Sequence, residues 1–128
     1  MAVLTPEMKE VVEKQRVGYI ATSSKAGVPN VSPKGTVKVV DDETLAFACV
    51  MSEKTIKNLQ ENPKIAVAVA DAAAVKGFQF KGEAKLETSG TLFDEMAAQV
   101  AKMKLPKPKC IARIKVTEVY PTPPRAKG

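Results

Sequence analysis

The chain has 128 residues, 45% hydrophobic and 27% charged, with a formal net charge of +6. That size and balance predict a single soluble domain, residues 1–128, with room for a real core, and exclude disorder. No apolar run approaches the ~18 residues needed to cross a membrane, and MAVLTPEMKEVVEK lacks the basic-then-apolar order of a signal peptide, so the cytoplasm is the expected location and no membrane partner is expected.

The first predicted element is a helix within residues 1–16. Thr5 suits its N-cap, Pro6 its first position and Glu7 its positive end. Met8, Val11 and Val12 mark one apolar stripe. VGYIATS, 17–23, reads as a strand and SKAG as a turn. VPNVSPKGTVKVV, 28–40, reads as a second extended stretch, interrupted by Pro29, Pro33 and Gly35 and therefore at an edge or bulged. After the turn DDE, TLAFACVM and KIAVAVA are apolar on both faces, as strands buried on both sides are.

Between those two strands lies SEKTIKNLQEN, a short helix with Ser52 at its N-cap and Pro63 just past its end. GFQFKGEAKLE alternates, with Phe78, Phe80, Ala84 and Leu86 on one face. TLFDEMAAQVAKMK is an amphipathic helix carrying Leu92, Phe93, Met96, Val100 and Met103 on one side. KCIARIKVTEVYP is a last strand, with Ile114, Val116 and Tyr120 on one face. YPTPPRAKG, with its three prolines, is a tail without regular structure over 121–128. About six strands with inserted helices predict a mainly β (α+β) fold, a small antiparallel barrel, over a doubly wound sheet.

The chemistry is bounded by what is missing. There is no histidine, so the usual general base and the triads built on it are absent. Two cysteines far apart form neither a disulfide framework nor a zinc site, and no metal is expected. Redox or group-transfer chemistry would be borrowed from a cofactor, and no catalytic side chain stands out. The net charge suits an anionic partner, but 5% aromatics and no tryptophan leave few platforms for bases. Nucleic acid is not the expected partner.

The helix after the apolar strand concentrates one signal. Free N–H groups, the helix dipole, the Lys54 and Lys57 ammonium groups and the Thr55 hydroxyl stand together at its start, a combination that holds phosphate. A plain amphipathic helix with solvated lysines has the same sequence pattern, but lysines in a first turn oppose the dipole, which favours an anion.

The ordered series IAT, P-x-V-S-P, an acidic turn, K-T-x-x-N-L, N-P-K-I-A-V and F-x-G-E-A resembles the FMN-binding split-barrel family, which includes pyridoxamine 5′-phosphate oxidase and small FMN-binding proteins. The resemblance covers roughly residues 10–90. It implies a six-stranded split barrel, FMN as cofactor and a homodimer with flavin sites between subunits. By resemblance, Lys54 and Thr55, with Lys57 nearby, hold the FMN phosphate; Ser52, read as the cap of the same helix, joins them as a candidate from the residue pattern. Ser32, Pro33, Lys34 and Gly35, together with Cys49, Val50 and Met51, lie along the flavin ring, and, because the C-terminal end in this family lies near the partner subunit's flavin, Tyr120 or the tail covers that ring. For Cys49 the residue-level reading is a small buried apolar side chain. The implied activity is that of a flavin-dependent oxidoreductase or electron carrier, with the redox partner or substrate unnamed. The oxidases proper carry C-terminal basic residues for pyridoxal phosphate. Here the tail has one arginine, Arg125, so oxidation of pyridoxamine phosphate itself is not expected. A split barrel holding a deazaflavin or a haem is the alternative, the haem disfavoured for want of a histidine. A small basic barrel binding nucleic acid is the more distant one.

Overall fold

The computed structural model describes residues 3–124; Arg125 and the end of the predicted tail lie outside them. Among the described residues the elements run α1 (Pro6–Gln15), β1 (Gly18–Ser23), β2 (Pro29–Lys34), β3 (Lys38–Asp41), β4 (Thr44–Cys49), α2 (Glu53–Glu61), β5 (Lys64–Asp71), β6 (Lys76–Glu87), α3 (Thr91–Lys102) and β7 (Cys110–Pro121). Thr5 caps α1 as its sequence predicts: its side chain accepts from the Met8 N–H, and Pro6 opens the helix.

All seven strands form one antiparallel sheet in the order β2-β1-β5-β6-β7-β4-β3. The count is seven rather than six because the extended stretch predicted over 28–40 breaks at Gly35 and Thr36, and its halves pair at opposite edges, β2 on β1 and β3 on β4. Laid flat, seven strands about 4.8 Å apart would separate those edges by about 29 Å. The four Cα steps from Lys34 to Lys38 span at most about 15 Å. The sheet therefore curls until its edges approach without pairing, which makes the barrel split rather than closed.

Inside the curl, Ile20, Leu45, Phe47, Val67, Phe80, Ile114 and their neighbours form the main core. A second cluster lies outside it, where Leu92, Phe93, Met96 and Val100 of α3 cover Ala46 and Ala48 of β4. The two-sided apolar pattern of β4 thus has two covers, barrel interior and α3. In β5, by contrast, Ile65, Val67 and Val69 are buried, while Ala66 and Ala68 are half-buried and Ala70 is exposed.

The β6–β7 ribbon carries one irregularity. Lys81 pairs with Glu118 and Gly82 with Val116, leaving Thr117 as an extra residue. A β-bulge bends the strand and reverses the side-chain parity beyond it. Tyr120 accordingly lies 37% exposed, under the Lys81 ammonium at 5.2 Å, and Val119 packs against the core instead. This corrects the assignment of Tyr120 to the face of Ile114 and Val116. Gly82 is required here, because a Cβ would stand 1.9 Å from the Lys115 carbonyl oxygen.

Candidate functional site

The break at Gly35 places the end of β2 beside the end of β4 and the start of α2. Alternation along β2 turns Asn30, Ser32 and Lys34 inward and leaves Pro29, Val31 and Pro33 exposed. Thr36, 5% exposed, fixes the crossing segment by accepting the Ala48 N–H at 2.9 Å. Two cavities open where these segments meet.

The first cavity, about 140 Å³, is polar. Its walls include Ser32 and Lys34 from β2 and Ser52, Glu53, Lys54 and Thr55 from the start of α2. The Ser32 and Thr55 hydroxyls lie 3.3 Å apart. The Glu53 carboxylate is engaged by Lys109 at 3.2 Å, which reduces its repulsion of an anion in the cavity. The second cavity, about 200 Å³, is more apolar and shares Lys34, Met51 and Ser52 with the first. Pro33, Gly35, Ala48 and Val50 line it, closed on one side by Met103 and Leu105. A Cβ on Gly35 would meet nothing within 4 Å, so the strand end faces open space.

Ser52 departs from the simple expectation of a cap. It occupies the N-cap position of α2, but at φ −137° and ψ 42° its side chain makes no capping hydrogen bond. Its Oγ is buried and unpartnered; among the described residues it shares that state with Glu43 Oε1, which lies 3.9 Å from the Lys115 ammonium. A buried hydroxyl without a partner costs about 1–3 kcal/mol. Ser52 is among the residues common to the walls of both cavities.

The structure brings together Ser32, Pro33, Lys34, Gly35, Val50, Met51, Ser52, Lys54 and Thr55. Lys57 is exposed on α2 and lines neither cavity. Cys49 points the other way, into the barrel core, and the Cys110 thiol beside it together with burial pushes its own thiol far up. Tyr120 lines neither cavity. Sequence reasoning passed over Asn30, Thr36, Ala48, Met103 and Leu105. The inward parity of β2 gave a signal for Asn30. The approach of the segment after α3 to β4 gave none, since no local pattern encodes it. A larger cavity, about 450 Å³, lies on the outer side of β1, β5, β6 and β7. Its charged walls, Lys64, Lys81, Glu83 and Glu118, mix signs and hold no orphaned polar group, so the smaller pair is the better candidate.

A curled, unclosed antiparallel sheet whose edges meet at a polar helix N-terminus defines a split-barrel protein. The family model for pyridoxamine 5′-phosphate oxidase matches residues 4–122, and the chain belongs to that family. An uncharacterized protein of Methanocaldococcus jannaschii is 40% identical over 121 residues, covering 91% of this chain and 79% of the relative. The HupZ structure from Group A Streptococcus superposes with a TM-score of 0.84 at 27% identity, over 97% of this chain and 98% of the other. An FMN-binding protein from Syntrophomonas wolfei gives 0.74 at 20%, over 88% and 86%, a likeness of fold alone. The fold is shared equally with an F420 reductase and with the heme storage protein HutZ of Vibrio cholerae, each at a TM-score of 0.69 and 20% identity.

Proposed function

We propose that this chain binds FMN and acts as a flavin-dependent oxidoreductase or electron carrier, as a homodimer with its flavin sites at the subunit interface. The observation that carries the reading is the convergence of the orphaned Ser52 Oγ, the Ser32–Thr55 hydroxyl pair and the Lys34 and Lys54 side chains around one polar cavity, beside an apolar one that shares Lys34, Met51 and Ser52 with it. A phosphate monoester and a planar ring joined by a short polar chain match that division.

The donor set fits the phosphate. Lys54 contributes charge, Thr55 and Ser52 contribute O–H donors, and the first turn of α2 directs N–H groups and the positive end of its dipole at the same point. Lys34 stands between the two cavities and extends the positive potential toward the ring side. The apolar walls from Pro33, Ala48, Val50, Met103 and Leu105 offer a surface on which a planar ring can lie. Gly35 leaves the strand end uncovered for close backbone approach. Bound FMN supplies the two-electron redox centre; the side chains orient it and set its solvent access.

The second-copy part of the reading rests on β5. Its outer face is Lys64, Ala66, Ala68 and Ala70, flanked by Tyr19 at 55% exposure on β1 and Val31 at 66% on β2. Charge stands at one end of that face, Lys64 on β5 and Lys81 opposite Ala66, while the cross-strand row through Tyr19, Ala68 and Gln79 is uncharged and suits a flat, self-complementary contact.

The deciding experiment is the visible spectrum of the purified protein, with acid release and chromatography of any chromophore. The expected result is FMN at about one per chain. A deazaflavin or a haem in its place would overturn the assignment, as would a colourless protein that fails to take up added FMN.

A further inference from the structure

The two cysteines, far apart in sequence, are direct neighbours in space. Cys49 is the last residue of β4, Cys110 the first of β7, and they face each other in the antiparallel register. Both side chains enter the same core cluster, and neither thiol is oxidised in the structure. Directly opposed residues in an antiparallel ladder have Cα atoms about 4.5–5.5 Å apart, within the range of about 4.4–6.8 Å that a disulfide spans. We propose that Cys49 and Cys110 form a dithiol–disulfide pair that closes under two-electron oxidation by a hydroperoxide.

The position within the ladder makes closure feasible. The two residues are the terminal pair of β4–β7. Beyond them the chain leaves as the Val50–Ser52 segment on one side and as residues 103–109 on the other, anchored near the pair by the Lys109 N–H to Cys49 carbonyl bond of 2.8 Å. Access to the thiols, 0% and 4% exposed at residue level, therefore requires fraying of a strand end rather than global unfolding. The pair sits inside the barrel wall whose outer side, at Ala48 and Val50, lines the apolar cavity, yet the proposal holds whatever that cavity binds.

The chemistry balances without another participant. The Cys110 thiolate attacks a peroxide oxygen, the O–O bond breaks, and the departing oxygen leaves as water or alcohol with a proton, giving a sulfenic acid. The Cys49 sulfur then attacks the sulfenic sulfur, the S–O bond breaks, and water leaves. Two thiols and one peroxide become one disulfide and two molecules of water, or water and alcohol, and two electrons pass to the peroxide. A thiol reductant reverses the closure by exchange.

The test is to expose the native protein to hydrogen peroxide, quench, unfold it and alkylate with iodoacetamide before mass spectrometry. The expected product is monomeric and about 2 Da lighter, with no alkylated cysteine. Proteolysis should yield a Cys49–Cys110 cross-linked peptide, and dithiothreitol should restore two alkylatable thiols. The bridge should also raise the melting temperature, because it closes a long loop in the unfolded chain. Cys49→Ser and Cys110→Ser should each fail to lose mass. Two alkylated thiols after an exposure that fully oxidises free glutathione would overturn the proposal. So would stepwise oxygen addition without a cross-link, or a bridge formed only between chains.

Discussion

The Ser32 and Thr55 hydroxyls lie 3.3 Å apart and tie the edge strand β2 to the first turn of α2. Thr55 is 2% exposed, so this contact is both part of the fold and a wall of the polar cavity. One oxygen donates and the other keeps its proton for a further acceptor. The same pair that holds the strand edge near the helix therefore leaves one O–H for an anion.

Thr55→Val keeps the shape and removes the hydroxyl. It should destabilise the protein by about 1 kcal/mol, the net contribution of one such bond, and weaken FMN binding by less than the loss of a lysine does. Urea denaturation and flavin titration measure the two effects. An unchanged midpoint together with unchanged affinity would remove Thr55 from both roles.

Acid should loosen the docking of α1. Lys14 reaches across to Asp71 at 3.0 Å. The hydrogen bond from Lys14, and then that from the Ala74 N–H, hold the Asp71 carboxyl below its ordinary value. A carboxyl depressed in the folded state adds stability that is full above its unfolded value of about 3.9 and is lost as the pH falls through the folded value. Asp71→Asn should therefore lower stability at neutral pH and flatten its decline below pH about 4. Thermal melts of both proteins across acid pH measure this, and parallel curves would count against the linkage.

Much of the fold was legible because it is written in local pattern. The Thr5–Pro6–Glu7 start of α1, the alternation of β6 and the stripe of α3 each report on neighbouring residues. The misses share a physical cause. Gly35 reads locally as a kink, but only the pairing of β2 and β3 with different partners turns it into a crossing between sheet edges. Tyr120 fell on the wrong face because a single extra residue, Thr117, reverses parity, and no sequence period announces a bulge. In the site, the contiguous segments 32–35 and 50–55 were visible. Met103 and Leu105 were not, since a long-range approach of the chain after α3 brings them in.

The outer face of β5 predicts association. Ala68 pairs with Tyr19 on β1 and Gln79 on β6, a cross-strand row without charge. Sedimentation velocity at micromolar concentration should show a dimer for the native chain and a folded monomer for Ala68→Glu, because a charge buried at a tight interface is costly. A native monomer with FMN bound, or a dimer indifferent to the glutamate, would exclude this face.

The central claim is that a phosphate sits at the start of α2, and the most direct measurement is a double-mutant cycle between Lys54 and that phosphate. FMN and riboflavin are titrated against the native protein and Lys54→Ala. A charge-assisted hydrogen bond contributes about 1.5–3 kcal/mol, so Lys54→Ala should weaken FMN binding by roughly one to two orders of magnitude. Riboflavin, lacking the phosphate, should bind the native protein poorly and respond little to the substitution. The coupling energy should be of that same size, about 1.5–3 kcal/mol. A coupling near zero would contradict it, making Lys54 a solvated surface charge.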